Sequence, residues 1–130
     1  MNNIAVDTSA VIEIFLEGPR AEATRLALKA SDLAFATAAV RVEAALVMMG
    51  RFAWDRASFD TNWDRLGIEE VPVDSRLASA AIEAFSVWGR GRGTAGLNFG
   101  DCFSYALASV RDLPLLFVGD DFARTDIGQL

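Results

Sequence analysis

The sequence predicts an α/β domain, a three-layer sandwich in which a short, mostly parallel central sheet of about four or five strands is flanked by helices. Short apolar runs alternate along the chain with longer segments whose apolar residues recur at helical spacing. This alternation is typical of a parallel sheet that helices cover on both faces. The 130 residues contain no internal repeat and no linker, so we expect one domain over residues 1–130.

The first half of the chain predicts two strands and four helices. The strands are expected at 4–6 and 33–36, and the helices at about 8–16, 19–30, 39–49 and 55–66. Thr8 or Ser9 is a suitable N-cap for the first helix, and Leu16 is expected on its inward face. Pro19 suits the first position of the second helix, and Gly50 suits the end of the third.

The second half of the chain predicts two further strands and two further helices. The strands are expected at 68–73 and 115–118, and the helices at about 75–88 and 101–110. Pro72 cannot donate a backbone hydrogen bond, which indicates a short strand or one near an edge. Asp74 is a suitable cap for the helix that follows it, in which Ala78, Ile82 and Phe85 form an apolar stripe that should face the core.

The composition excludes several classes of active site. The chain has no histidine, which excludes serine–histidine and cysteine–histidine catalysis and histidine-rich zinc sites. Cys102 is its one cysteine, which excludes an internal disulfide, and we expect it to be a small buried apolar side chain. Acid–base chemistry must then come from Asp, Glu, water and metal. Oxygen ligands favour Mg²⁺, with Mn²⁺ as a substitute.

The charge and hydropathy of the chain predict where it acts. A net charge of −6 argues against unaided binding of a polyanion, although bound divalent ions would reverse the local sign. No apolar run approaches the roughly 20 residues that cross a bilayer, and the N-terminus lacks the layout of a signal peptide. We therefore expect a cytoplasmic protein that makes no membrane contact.

Carboxylates from distant parts of the chain are predicted to meet at one edge of the sheet. Asp7 follows the first strand directly, and Asp120 and Asp121 follow the last one. Asp101 opens a helix, and helices that follow parallel strands begin at this same edge. Glu43 lies on an apolar helical stripe, where burial without a partner would be unfavourable. Such a cluster, with bound Mg²⁺, suits the hydrolysis of phosphodiester bonds.

Each of these acids alone also has an ordinary structural explanation. Asp101 would cap its helix, Glu43 would form a core ion pair, and the aspartates after the strands would lie in turns. Because all of these acids are expected at one edge, in a chain without histidine, a metal site explains them better than a separate structural role for each. The remaining acids at polar helix positions are expected to be solvated: Glu13, Glu17, Glu22, Asp55, Asp60, Asp64 and Glu83.

Four blocks of sequence resemble the PIN-domain family in their order and spacing. They read DTSA at 7–10, RVEA at 41–44, LNFGDC at 97–102 and LLFVGDDF at 115–122. Within that family the chain is similar to the VapC toxins, the ribonuclease half of type II toxin–antitoxin modules. The resemblance covers nearly the whole chain, and residues 98–108 are its most specific part.

The resemblance implies an Mg²⁺-dependent endoribonuclease that acts on RNA, commonly tRNA, forms a homodimer and is neutralised by a VapB-type antitoxin. Asp7 and Asp101 match the main metal ligands of the family, and Glu43 matches its third acid. The alignment of Asp121 with the Asp-Phe pair of the family makes it the expected fourth acid, with Asp120 as the alternative. A PIN scaffold without catalysis, which binds protein or RNA, is the competing function.

Further residues are expected to contact the substrate or the antitoxin: Thr8, Ser9, Arg90, Arg92, Asn98 and Asp126. The two arginines belong to a glycine-rich stretch at 89–96 without apolar periodicity, which suits contacts with RNA phosphates or an acidic antitoxin segment. Asp126 matches a recurring family position and is expected to support the ligands or to act at a second metal.

Overall fold

The computed structural model describes residues 2–92 and 95–130, which form ten regular elements. In chain order they are β1 (Asn3–Val6), α1 (Thr8–Phe15), α2 (Ala21–Ala30), β2 (Leu33–Thr37), α3 (Ala38–Phe52), α4 (Arg56–Arg65), β3 (Glu69–Val71), α5 (Ser75–Trp88), α6 (Phe99–Arg111) and β4 (Leu115–Leu116). The strands form one sheet in the order β3-β2-β1-β4, and every pairing is parallel. The predicted fold class is confirmed.

The register of the sheet brings the ends of three strands to one edge. Ile4 of β1 pairs with Ala34 of β2, and Val6 of β1 pairs with Leu116 of β4. Because all three strands run in the same direction, the residues that follow them leave the sheet at the same edge. Asp7 leaves this edge from the central strand, which places it in the middle of the group.

The sheet separates two hydrophobic clusters, because neighbouring residues of a strand face opposite sides. Ile4 and Val6 of β1 face the cluster formed with α1, α2, α3 and α4. Ala5 faces the other cluster, which α5, α6, Leu115 and Phe122 complete. The sheet is thereby the middle of three layers. Cys102 is 4% exposed within the second cluster, as predicted for a small buried side chain.

The start of α1 differs from the prediction. Asp7, not Thr8 or Ser9, is the N-cap, and its carboxylate accepts a hydrogen bond from the backbone N–H of Ser9. The cap therefore lies one or two residues earlier than predicted, and Thr8 and Ser9 lie in the first turn of the helix. Leu16 is 41% exposed, whereas Ile14 is buried, so the predicted inward face was partly wrong. The earlier start places both hydroxyl groups beside the acids at the sheet edge.

Two predicted helix ends were also wrong. Pro19 lies in the turn before α2, which begins at Ala21. Gly50 does not end α3, which continues to Phe52 and is terminated by Ala53 in the left-handed conformation, with φ of 58°. Trp54, which follows the longer helix, packs on Phe15 with 5.1 Å between ring centroids. This packing favours a helix that continues past Gly50.

The apolar stripe predicted for the core side of α5 faces outward. Ile82 is 71% exposed and Phe85 is 39% exposed, whereas Leu77, Ala81 and Ala84 are buried. The helix has two apolar stripes, and the one with two small residues packs in the cluster shared with α6, because small side chains allow helices to approach closely. The larger side chains are left on the surface.

The remaining strand predictions differ from the structure mainly in length. β3 ends before Pro72 and lies at an edge of the sheet, as predicted. β4 has two residues, because the chain leaves the sheet after Leu116 instead of at Val118. None of the helices in the described ranges is both long enough and apolar enough to span a membrane.

Candidate active site

Four acids predicted from the sequence line one depression of about 350 Å³ at the carboxyl edge of the sheet: Asp7, Glu43, Asp101 and Asp121. They come from the end of β1, from α3, from the first turn of α6 and from the segment after β4. The depression is also lined by Thr8, Ser9, Ile12, Glu13, Val47, Arg51 and Val118. The sheet topology therefore assembles carboxylates that are separated by up to most of the chain length.

Asp7 is held by hydroxyl groups on both of its carboxylate oxygens. Its Oδ2 accepts hydrogen bonds from the Ser9 backbone N–H at 3.0 Å and from Ser9 Oγ at 2.7 Å. Its Oδ1 accepts a hydrogen bond from Ser104 Oγ of α6. Burial raises the pKa of Asp7, while the hydrogen bonds from Ser104 and Ser9 act against this rise. The carboxylate is consequently buried and fixed in one orientation.

Ser9 also fixes the segment that follows β4. The Val118 backbone N–H donates a hydrogen bond to Ser9 Oγ at 3.0 Å, while that hydroxyl donates to Asp7. A single side chain thereby joins the first turn of α1 to the segment that carries Asp121. The position of Asp121 therefore depends on Ser9, the same residue that holds the carboxylate of Asp7.

Glu43 is oriented by Thr8 and accommodated by Gly100. Thr8 Oγ1 donates a hydrogen bond to Glu43 Oε1 at 2.6 Å. A Cβ atom at position 100 would overlap the carboxylate of Glu43, so glycine is what allows α3 and α6 to approach here. Gly100 lies in the first turn of α6 and faces the acid site.

Asp101 has a structural and an electrostatic role at once. Its backbone N–H donates to Asn98 Oδ1 at 2.9 Å, and its Oδ2 accepts from the Asn98 backbone N–H at 3.0 Å, which forms a capping box. Burial raises the pKa of Asp101 to about 7, against the effect of the Asn98 bond, and the charges of Asp7, Asp121 and Glu43 add to the rise. Asp101 is therefore close enough to each of the other three acids for their negative charges to disfavour its ionised form.

The chemistry of this donor set fits a hard divalent cation, because all its ligand atoms are oxygens. As the side chains stand, no three carboxylate or thiol groups of the described residues are gathered closely enough to hold one ion together. Glu43 is turned toward Thr8 and Asp101 toward Asn98, while the exposed Asp121 has freedom to move. Small side-chain rotations, which mutual repulsion opposes without a cation, would have to complete such a site.

Other predicted residues lie away from the depression. Asp120 is exposed and is not part of its lining. Asp126 accepts a hydrogen bond from the hydroxyl of Tyr105, which in turn accepts one from Trp88 Nε1 at 3.0 Å. Burial and the Asp126 bond raise the pKa of Tyr105 to about 12. In this structure Asp126 fastens the C-terminal segment to α5 and α6.

Arg90 and Arg92 also lie outside the depression, beyond the end of α5. The guanidinium of Arg92 lies over the ring of Phe85, 5.8 Å from its centroid, and the backbone N–H of Arg90 donates to the Leu97 carbonyl. Both side chains are exposed, and residues 93 and 94 of the same glycine-rich stretch lie outside the described ranges. Their predicted contact with RNA or antitoxin stays a prediction.

Three polar or charged residues at the site were missed from the sequence: Ser104, Glu13 and Arg51. Ser104 lies three positions after Asp101, on the same face of α6, and this spacing was an available signal. Glu13 was predicted to be solvated, but α1 places it four positions after Ser9 at the border of the depression. Arg51 lies eight positions after Glu43 on α3, two helical turns along one face.

Comparisons with known proteins agree with this fold and sequence pattern. Residues 4–128 match the PIN domain family model. The chain is 39% identical over 125 residues to Ribonuclease VapC30 of Mycobacterium tuberculosis, with 95% of each protein covered. It is 42% identical over 127 residues to Ribonuclease VapC42 of the same species, covering 94% of this chain and 95% of the relative.

Solved structures with low sequence identity share the same fold. The M. tuberculosis toxin VapC20, which cleaves the sarcin–ricin loop, superposes with a TM-score of 0.77 at 18% identity and covers 98% of both chains. A chain of a toxin–antitoxin complex from Klebsiella pneumoniae superposes with a TM-score of 0.68 at 17% identity, covering 95% of this chain and 92% of that one. Taken with the family match and the 39–42% identical relatives, the chain belongs to the PIN-domain family, among its VapC ribonucleases.

Proposed function

We propose that this protein is a toxin of the VapC type, an Mg²⁺-dependent endoribonuclease that hydrolyses phosphodiester bonds of RNA, with tRNA as the expected substrate. The observation that carries the proposal is the meeting of Asp7, Glu43, Asp101 and Asp121 in one depression. The ribonuclease names of relatives at 39% and 42% identity support it. Mn²⁺ has the same preference for oxygen ligands and would substitute for Mg²⁺.

The four acids divide into a fixed pair and a more adjustable pair. Asp7 is held by two serines and Asp101 by its capping box, so both supply oxygens at defined positions. Glu43 is partly buried and Asp121 is exposed, so these two would close on a cation by side-chain rotation. A divalent ion bound there would supply Lewis acidity toward the phosphate and an activated water.

The supporting residues prepare the depression for this chemistry. Ser9 and Ser104 leave the Asp7 carboxylate little freedom, and Thr8 keeps Glu43 turned into the same space. Chelation neutralises charges that repel one another, so it would favour the ionised form of Asp101. A depression with its carboxylates uncompensated would repel RNA, so RNA binding should depend on the cation as much as the reaction does.

The cleavage of total tRNA by the purified protein tests the proposal. We expect cleavage with Mg²⁺ or Mn²⁺ and none with a chelator in excess. Asp7→Asn and Asp101→Asn should each lower the rate by at least about 100-fold, as loss of a metal ligand would. Asp64→Asn, a change at an exposed acid of α4, is the matched control and should leave the rate unchanged. Equal rates in all four proteins, or no metal-dependent cleavage, would favour a PIN scaffold without catalysis.

We also propose that a VapB-type antitoxin neutralises the protein and that the toxin itself is a homodimer. The K. pneumoniae complex supports an antitoxin partner, because its fold matches over nearly the whole chain. Expression in a bacterial host, with and without the neighbouring upstream open reading frame, tests the partner. Growth arrest by this chain alone and recovery with its neighbour is the expected result. Arrest that persists in the presence of the neighbour would contradict it.

A further inference from the structure

Arg51 is a basic side chain at the border of the acid depression. It lies in the last turn of α3 and lines the same space as the four carboxylates. It follows Glu43 by eight residues, which corresponds to about 12 Å along the helix. Val47 lies between them on the same face and also lines the depression. The strip from Glu43 to Arg51 therefore begins at the acids and ends at a positive charge.

Among the residues that the structure describes, none neutralises the charge of Arg51. Several arginines in the described ranges have carboxylate partners: Arg25 with Glu17, Arg41 with Glu70, and Arg56 with Asp60. Arg51 makes no ion pair or side-chain hydrogen bond with the described residues. Its side chain is exposed, and it is the one basic residue among those described as lining the depression. Its guanidinium is therefore available to a ligand that enters the depression.

We infer that Arg51 binds a backbone phosphate of the RNA that flanks the phosphate being cleaved. The inference rests on the proposed function and adds a substrate contact to it. The five N–H donors of a guanidinium match the oxygens of a phosphate, and the distance from Glu43 places this contact beyond the reacting phosphate. Val47, between Glu43 and Arg51 on α3, and Ile12 of α1 supply apolar surface in the same depression, against which a sugar or base can pack.

Two ordinary roles for Arg51 make different predictions. A positive side chain in the last turn of a helix stabilises the helix through its dipole. A positive charge beside acids would also weaken the attraction of the depression for cations. In the first case Arg51→Ala would alter only stability, and in the second it would strengthen cation binding. A phosphate contact predicts weaker RNA binding and a smaller salt dependence instead.

Arg65 provides a matched control, because it is an exposed arginine in the last turn of α4 and does not line the depression. The experiment measures kcat and KM for a short fluorescent single-stranded RNA at several salt concentrations, with Mg²⁺ held constant. Wild type, Arg51→Ala, Arg51→Lys and Arg65→Ala are compared. Calorimetric titration with Mn²⁺ alone gives the cation affinity of each variant without RNA.

We expect Arg51→Ala to raise KM about threefold to tenfold with little change in kcat. The slope of log kcat/KM against log salt should fall in magnitude by about 0.7, the value for one lost phosphate contact on a single strand. Arg51→Lys should recover part of both effects, and Arg65→Ala should match wild type. Mn²⁺ affinity should stay within about twofold in all variants, because the change removes no ligand.

A wild-type salt slope in Arg51→Ala, in a protein that still cleaves RNA, overturns the inference and leaves the proposed function standing. An increased Mn²⁺ affinity with unchanged KM overturns it in favour of a counter-charge role. Failure of the wild type to bind or cleave RNA with any divalent ion overturns both.

Discussion

Individual carboxylates of the candidate site are held at a cost to the stability of the fold. Asp101 is 7% exposed and Asp7 is 3% exposed, and burial raises the pKa of both. A carboxyl group whose pKa is higher in the folded than in the unfolded state binds more protons when folded. Its contribution therefore falls as pH rises between the unfolded and folded pKa values. For Asp101 this interval runs from 3.8 to about 7.

Asp101→Asn should consequently stabilise the metal-free protein at about pH 8, although it lowers the rate of cleavage at least about 100-fold. Asparagine keeps an oxygen for the capping box and removes the charge. We expect a gain of about 1–3 kcal/mol in the free energy of unfolding at this pH, with solvent screening taken into account, and little gain at about pH 4. Thermal unfolding in a chelator, measured at both values, tests this. A gain that is equal at the two pH values would contradict the electrostatic explanation.

Ser104 is the residue whose role was least visible before the fold was known. It is 1% exposed and donates a hydrogen bond to Oδ1 of Asp7, whereas Ser9 donates to Oδ2. It does not line the depression, so its effect on catalysis would pass through the orientation of Asp7. The serine hydroxyl is small enough to lie in the core between α6 and the end of β1.

Ser104→Ala should weaken the binding of Mn²⁺ by about tenfold, as loss of a group that orients a metal ligand typically does. The change also leaves a buried carboxylate oxygen without its donor, which costs about 1–3 kcal/mol of stability. Ser109→Ala, at an exposed serine on the same helix, is the control. Calorimetry with Mn²⁺ separates the two effects, because a purely structural role would lower the unfolding temperature without a change in affinity.

At the level of elements, α3 and α6 form the site by approaching each other at a glycine. Gly100 lies in the first turn of α6, beside the carboxylate of Glu43, whereas Gly50 of α3 has no atoms within 4 Å of where a Cβ would lie. Both glycines are helical, so alanine is conformationally acceptable at either position. The two positions therefore separate the intrinsic effect of alanine from its effect on the acid site.

Gly50→Ala should stabilise the protein by about 0.5–1 kcal/mol and leave cleavage unchanged. Gly100→Ala should displace the Glu43 side chain and lower kcat at least about tenfold, with a much smaller effect on stability because the displaced group is the end of a flexible chain. Chemical denaturation and tRNA cleavage measure the two quantities. Equal kcat values for the two variants would show that Glu43 is not required where the structure places it.

The starts of helices were predictable where a capping residue in the local sequence sets them, whereas features that depend on packing were not. Asp55 and Asp74 were predicted at the starts of α4 and α5, and both are N-caps. The end of α3 was not predictable from Gly50, because the packing of Trp54 on Phe15 prolongs the helix. The inward stripe of α5 was misassigned for a similar reason, since two apolar stripes were available and contact with α6 selected one.

In the whole molecule, the apolar stripe of α5 that does not face the core lines a groove of about 460 Å³ between α5 and α6. It is lined by Ala78, Ala81, Ile82, Phe85, Phe99, Cys102 and Phe103. Phe99 is 80% exposed beside it. A protruding ring next to an apolar groove is complementary to a second copy turned by a two-fold axis, in which each Phe99 would fill the groove of its partner. The proposed homodimer therefore has a specific surface available to it.

If the proposed homodimer forms through this groove, Ile82→Glu should convert it to a monomer, because the substitution places a charge in the groove. Since the side chain is 71% exposed in one chain, the substitution should leave the fold of the monomer intact. Leu26→Glu on α2 is the control, at a leucine that is 60% exposed and does not line the groove. Sedimentation velocity measures the outcome. A wild-type protein that is monomeric, or dimers that persist with Ile82→Glu, would exclude this surface.

The parallel α/β architecture and the candidate acids were predictable from the sequence, because apolar periodicity and residues at strand ends are local properties. The lack of histidine similarly left oxygen ligands as the available metal chemistry. The tertiary structure agrees with the expected choice of Asp121 over Asp120 as a lining residue, and it was needed to find that Ser104 holds Asp7. It also placed Arg51, instead of Arg90 or Arg92, beside the acids. These outcomes depend on distances between residues far apart in the chain, which packing sets and local patterns do not contain.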